Sequence, residues 1–61
     1  MTYTTMTLNA AGVQSNVTTH DTLEAAQASV TQTSGWDPSD EDNWDARNTD
    51  TGETFQINRS A

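Results

Sequence analysis

The chain has 61 residues, no cysteine, and nine carboxylates against two arginines, for a formal net charge of −7. That length holds one domain and buries roughly 60% of its unfolded surface, so any core is thin. Missing cysteine excludes disulfide and thiolate–zinc staples, and the charge disfavours nucleic acid and anionic membranes as direct partners while favouring basic protein surfaces.

The first third, "TYTTMTLNAAGVQSNVTTH", is rich in threonine and valine, whose branched β-carbons suit strands. Met6 and Leu8 share one face, alternating with Thr5, Thr7 and Asn9. Residues 9–12, "NAAG", form a turn signal with Gly12 supplying a positive φ. Val13, Ser15 and Val17 then alternate with Gln14, Asn16 and Thr18, which predicts a β-hairpin. This N-terminal stretch lacks the basic and hydrophobic regions of a signal peptide, and no apolar run is long enough to span a bilayer. The expected location is cytoplasmic, and the sequons at Asn16 and Asn58 read as chance.

A helix is predicted over about 22–33. Asp21 with Glu24 three residues on gives a capping-box arrangement, and Leu23, Ala26 and Val30 make a narrow apolar stripe. Gly35 suits the C′ position, which would put Trp36 at C″ and fold it back on Val30.

"DPSDED" then reads as a solvated linker broken by Pro38. A second hairpin follows: Trp44, Ala46 and Asn48 alternate with Asp45 and Arg47, "NTDTGE" turns with Gly52 left-handed, and Phe55 and Ile57 share a face. The expected fold is α+β, a small antiparallel four-stranded sheet with one covering helix (ββαββ). Leu23, Ala26 and Val30 are expected to face Met6, Leu8, Phe55 and Ile57. With so thin a core, self-association, a homodimer included, is one source of added stability.

Catalysis needs a nucleophile with a base, a metal, or a positioned acid–base pair. His20 is the only histidine and precedes the helix cap, where a structural or solvent-facing role is ordinary. There is no glycine-rich phosphate loop, and one core layer offers no apolar pocket to raise a carboxylate's pKa. The expectation is a non-enzyme without cofactor or metal. Asp37, Ser39 and Glu41 have the spacing of calcium ligands, but Asp42 and Asn48 stand where an EF-hand needs glycine and glutamate.

Residues 35–50, "GWDPSDEDNWDARNTD", gather Asp37, Asp40, Glu41, Asp42, Asp45 and Asp50 beside Trp36 and Trp44, with Arg47 as the one cation. Duplex DNA carries one negative charge per roughly 1.7 Å of axis, and short aspartates fix charge positions at little entropic cost. The carboxylates would attract and orient a basic partner, and the tryptophans would brace the segment or anchor in the interface.

The length, the absence of lysine and cysteine, the charge and this cluster resemble the small acidic phage-encoded proteins that act as DNA mimics, including anti-CRISPR and anti-restriction proteins. The resemblance is one of type and rests on no shared motif. It implies an inhibitor in the host cytoplasm that occupies the DNA-binding surface of an effector, such as a CRISPR effector subunit, through Asp37, Asp40, Glu41, Asp42, Asp45, Asp50, Trp36 and Trp44. The competing readings are a merely solubilising acidic loop, a phage structural or assembly protein, and a small accessory subunit whose sheet edge adds to another chain.

Overall fold

Asparagine and glycine close both main hairpins. The first links β1 (Thr2–Leu8) to β2 (Gln14–His20). Its turn forms as Asn9 Oδ1 accepts the N–H groups of Ala11 at 2.9 Å and Val13 at 3.0 Å, with Gly12 at φ 79°. After α1 (Leu23–Ala28) come β3 (Asp37–Pro38), β4 (Asn43–Arg47) and β5 (Thr54–Ser60). The β4–β5 turn repeats the device: Asn48 Oδ1 accepts from Asp50 N at 2.8 Å and Thr51 N at 3.0 Å, and Gly52 again has φ 79°. The structure, a computed structural model, describes residues 1–31 and 33–60.

All five strands join one antiparallel sheet in the order β2-β1-β5-β4-β3. The expected four strands are therefore five. The addition is the start of the supposed linker, where Asp37 pairs with Asp45 and Pro38 with Trp44. Proline lacks an N–H and is tolerated in an edge strand, so a residue that breaks helices does not prevent this pairing.

Register decides the faces. Thr5 lies opposite Ile57 and Thr7 opposite Phe55, while Trp44 and Ala46 lie opposite Ile57 and Phe55 from the other side. Residues directly opposite share a face, so Tyr3, Thr5, Thr7, Trp44, Ala46, Phe55 and Ile57 form one surface. The helix packs on this surface, where Thr5 Oγ1 donates to the Ala26 carbonyl at 3.2 Å. Met6 and Leu8 lie opposite Gln56 and Thr54, on the reverse, open face that the helix does not cover, where Met6 is nonetheless buried at 7% exposure. They do not meet the helix with Phe55 and Ile57 as expected. A period of two specifies two faces but not which is inward. Here Thr5 and Thr7 go under the helix, at 3% and 7% exposure, while Met6 is buried on the other face.

The helix is shorter than predicted, ending at Ala28 with Ser29 as C-cap. Thr22, not Asp21, is the N-cap, and its hydroxyl accepts the Ala25 N–H at 3.1 Å. Glu24 accordingly stands one position too early for a capping box. Beyond Ser29 the β-branched Val30, Thr31 and Thr33 weaken helix propensity, and Thr33 bridges to Asn48 instead; the predicted helical position Gln32 lies outside the described residues. Ala26 is fully buried, while Leu23 and Val30 are half-buried. No helix among the described residues is long and apolar enough to cross a membrane.

Trp36 does not fold back on Val30. The chain from Thr33 runs along β4, with the Ser34 N–H donating to the Arg47 carbonyl at 2.9 Å. Gly35, at φ 117°, sits in this edge rather than capping the helix. Trp36 thus reaches over small Ala46 to Phe55, with ring centroids 6.4 Å apart. Trp44 packs against Tyr3 at 6.0 Å. The two indoles cover the half of the sheet that the short helix leaves bare.

Candidate functional site

The acidic segment is built by its own short side chains. After Pro38 the chain reverses through Ser39–Asp42, and the Ser39 N–H donates to the Asn43 carbonyl at 2.9 Å. The Asp40 carboxylate accepts the Asp42 N–H at 2.7 Å and the Asn43 Nδ2 at 2.9 Å. This is how aspartate stabilises turns. The Asp42 N–H first, and the Asn43 amide second, hold the Asp40 carboxyl below its usual 3.8.

Asp42 faces the other way. One of its carboxylate oxygens accepts from Arg59 Nε at 2.9 Å and also from Nη2, and its carbonyl accepts the Arg59 N–H at 2.8 Å. The hydrogen bond to Asp42 is the main cause of a raised Arg59 pKa. Arg59–Asp42 is the only ion pair among the described residues. Glu41, at the tip, is exposed.

Along the adjoining edge Asp37 and Asp45 stand directly opposite one another. Both are on the open face, away from the indoles, because Trp36 and Trp44 alternate with them. Asp45 is half-buried beside Gln56, whose Nε2 lies 3.5 Å from its Oδ1, and Asp37 is exposed. Arg47 is two residues along β4 on the same face. Ser34, Asp37, Asp45, Ala46, Arg47 and Thr54 line a shallow depression of about 230 Å³ here.

The six carboxylates in this stretch do not converge on one point. Asp40, Glu41 and Asp42 form the tip, Asp37 and Asp45 the edge, and Asp50 lies in the β4–β5 turn beyond the far end of β4, roughly 13 Å of strand away. Glu53 shares that far turn, its carboxylate accepting from Thr51 Oγ1 at 3.0 Å. Glu53 was not among the residues expected at the site, although its place inside the "NTDTGE" turn marks it as a neighbour of Asp50. The result is a line of negative charge along one sheet edge, interrupted by Arg47. Trp36 and Trp44 are half-buried and brace this edge from behind.

His20 lies elsewhere, in a cleft of about 340 Å³ between the sheet and residues Ser29, Val30 and Thr31, which follow the helix, where its Nε2 is 2.9 Å from Thr18 Oγ1. Nucleophilic catalysis would also need a third group to orient the imidazole, and among the described residues none bonds its Nδ1. Asp37, Ser39 and Glu41 fall in a strand and a tight turn, and no cluster of three His, Asp or Glu side chains suited to a metal occurs among the described residues. Comparison with protein-family models, curated proteins and solved structures found no match.

Proposed function

We propose that the protein inhibits a nucleic-acid-binding effector, of the anti-CRISPR or anti-restriction kind, by presenting its acidic edge to the effector's basic DNA-binding surface. The observation that carries this reading is the Asp37–Asp45 pair. Like charges directly opposite in an antiparallel ladder are destabilising, and a small domain has little stability to lose. Departures from local folding rules are expected where function requires them. An arginine or lysine of a partner, set between the two carboxylates, would relieve the repulsion and turn it into attraction.

The roles within the edge then divide. Asp37, Asp45 and Glu41 meet the partner. Asp40 and Asp42 shape the tip, because their oxygens are already engaged with Asn43, the Asp42 N–H and Arg59. Asp50 extends the charge toward the far turn. Trp36 and Trp44 keep the edge rigid. Such charges act mainly on encounter rate, and their long-range part is screened beyond about 8 Å at physiological ionic strength.

The test is a triple variant, Asp37→Asn, Glu41→Gln and Asp45→Asn, measured against a CRISPR effector or restriction enzyme that the wild type binds, in competition with duplex DNA at two salt concentrations. The expected result is slower association and a flatter salt dependence with the fold intact. Unchanged affinity and salt slope, with solubility alone reduced, would leave the edge as a solubilising feature and defeat the proposal.

A further inference from the structure

The opposite edge of the sheet has contrary properties. β2 is an edge strand of seven residues, Gln14–His20, containing no Asp, Glu or Arg. Every residue in it is exposed except His20, which is half-buried. Val13 and Val17, at 58% and 54% exposure, are the most exposed large apolar residues after Met1. Strand edges in natural proteins are commonly protected by charge, proline or a bulge. This edge has only a bulge, with Asn16 at φ 52° and Asn16 and Val17 together standing against Met6. From Val17 to His20 the outer backbone groups remain regular and unprotected.

We infer that β2 pairs with β2 of a second copy of this chain, antiparallel about a two-fold axis normal to the sheet, giving a continuous ten-stranded sheet. Of the two sheet edges, charge leaves only this one open to a second copy, and it sets the orientation. A body carrying −7 repels its copy wherever carboxylates meet, and β2 is separated from β3 by the whole width of the sheet, about 19 Å. That is more than two screening lengths. Asp21 directly follows β2. A parallel pairing would set the two Asp21 carboxylates side by side, whereas the antiparallel one separates them by roughly 20 Å of strand. The two-fold axis also keeps both open faces on the same side, so Val17 of each copy packs into the Val17–Thr19 row of the other. An acidic edge then faces outward at each end of the dimer.

Sedimentation equilibrium on the full chain tests this. The wild type should sediment at twice the monomer mass, and raising the salt should leave association unchanged or strengthen it, the reverse of the effect expected for binding at the acidic edge. Val17→Glu or Thr19→Glu sets a carboxylate against its own copy and should raise the dissociation constant by about tenfold or more, since like charges facing across a pairing repel. Ser39→Glu adds the same charge at the far edge and should leave the dimer intact. Both β2 positions are exposed, so circular dichroism should match the wild type, and each variant serves should the other fail to fold. A monomer at millimolar concentration, a dimer indifferent to both β2 variants, or one dissolved equally by Ser39→Glu would overturn the inference.

Discussion

Arg59 is joined to Asp42 twice: its guanidinium donates Nε and Nη2 to one carboxylate oxygen, and its backbone N–H donates to the Asp42 carbonyl at 2.8 Å. One of only two cations in the chain is thus committed to holding the acidic tip on β5. Asp42→Asn should therefore act on stability. The pair is partly exposed, at 32% and 57% for the two side chains, so the loss in urea unfolding should be small, as for other surface ion pairs. Partner association should change less than in Glu41→Gln; the opposite ranking would mean that Asp42 itself meets the partner.

Asp37→Asn should make the fold more stable, by roughly a few tenths of a kcal/mol, because it removes one of two facing carboxylates. The same change should weaken binding at the acidic edge. A gain in thermal stability together with a slower association rate is the expected pair of readings, and a destabilised Asp37→Asn protein would contradict it.

The core predictions follow exposure. Ile57 is fully buried, and Ile57→Ala should cost about 2–5 kcal/mol. Leu23 is only half-buried, so Leu23→Ala should cost less than half as much in the same unfolding experiment. Ala26 has no exposed surface, and its carbonyl accepts from Thr5 Oγ1 at 3.2 Å and Ser29 Oγ at 2.7 Å. Enlarging it in Ala26→Leu should cost about 1–3 kcal/mol by overpacking.

At the helix start Thr22→Ala should cost about 0.5–2 kcal/mol, since it removes the hydroxyl that accepts the Ala25 N–H. Asp21→Ala should stay within roughly 0.5 kcal/mol, the range of ordinary surface substitutions. Equal effects at the two positions would place the cap elsewhere.

Acid should loosen the tip through Asp40. Its carboxyl is held below the usual 3.8 by the Asp42 N–H and the Asn43 amide. A group depressed on folding contributes stability above its unfolded value and loses that contribution as pH falls through the folded one. Carboxyl NMR titration should place Asp40 below 3.8. Asp40→Asn can still accept the Asp42 N–H, so it should keep the turn at neutral pH while removing this part of the acid dependence. An Asp40 midpoint at or above the usual value would count against the arrangement.

Local chemistry alone determined much of this molecule. Asn9, Gly12, Asn48 and Gly52 mark the two hairpin turns because glycine reaches positive φ and asparagine bonds to nearby N–H groups. The alternation of Phe55 and Ile57 marks β5, and Ala25–Ala28 marks helix. The concentration of carboxylates between Asp37 and Asp50 is visible in the same way. Tertiary structure decided what short-range signals leave open. A two-residue strand has no period to read, so Asp37–Pro38 becomes β3 only when β4 offers an unpaired edge. Period two is symmetric, so only the pairing with β5 turned Thr5 and Thr7 toward the helix and Met6 and Leu8 toward the reverse face. Thr22 prevailed over Asp21 as cap once packing of Ala26 set the helix start. Most of all, which carboxylates are engaged and which are free depends on contacts distant in sequence. Arg59 lies 17 residues from Asp42, and Asp37 meets Asp45 only because a turn returns the chain, so the division of the acidic stretch into tip, edge and far turn is a property of the fold.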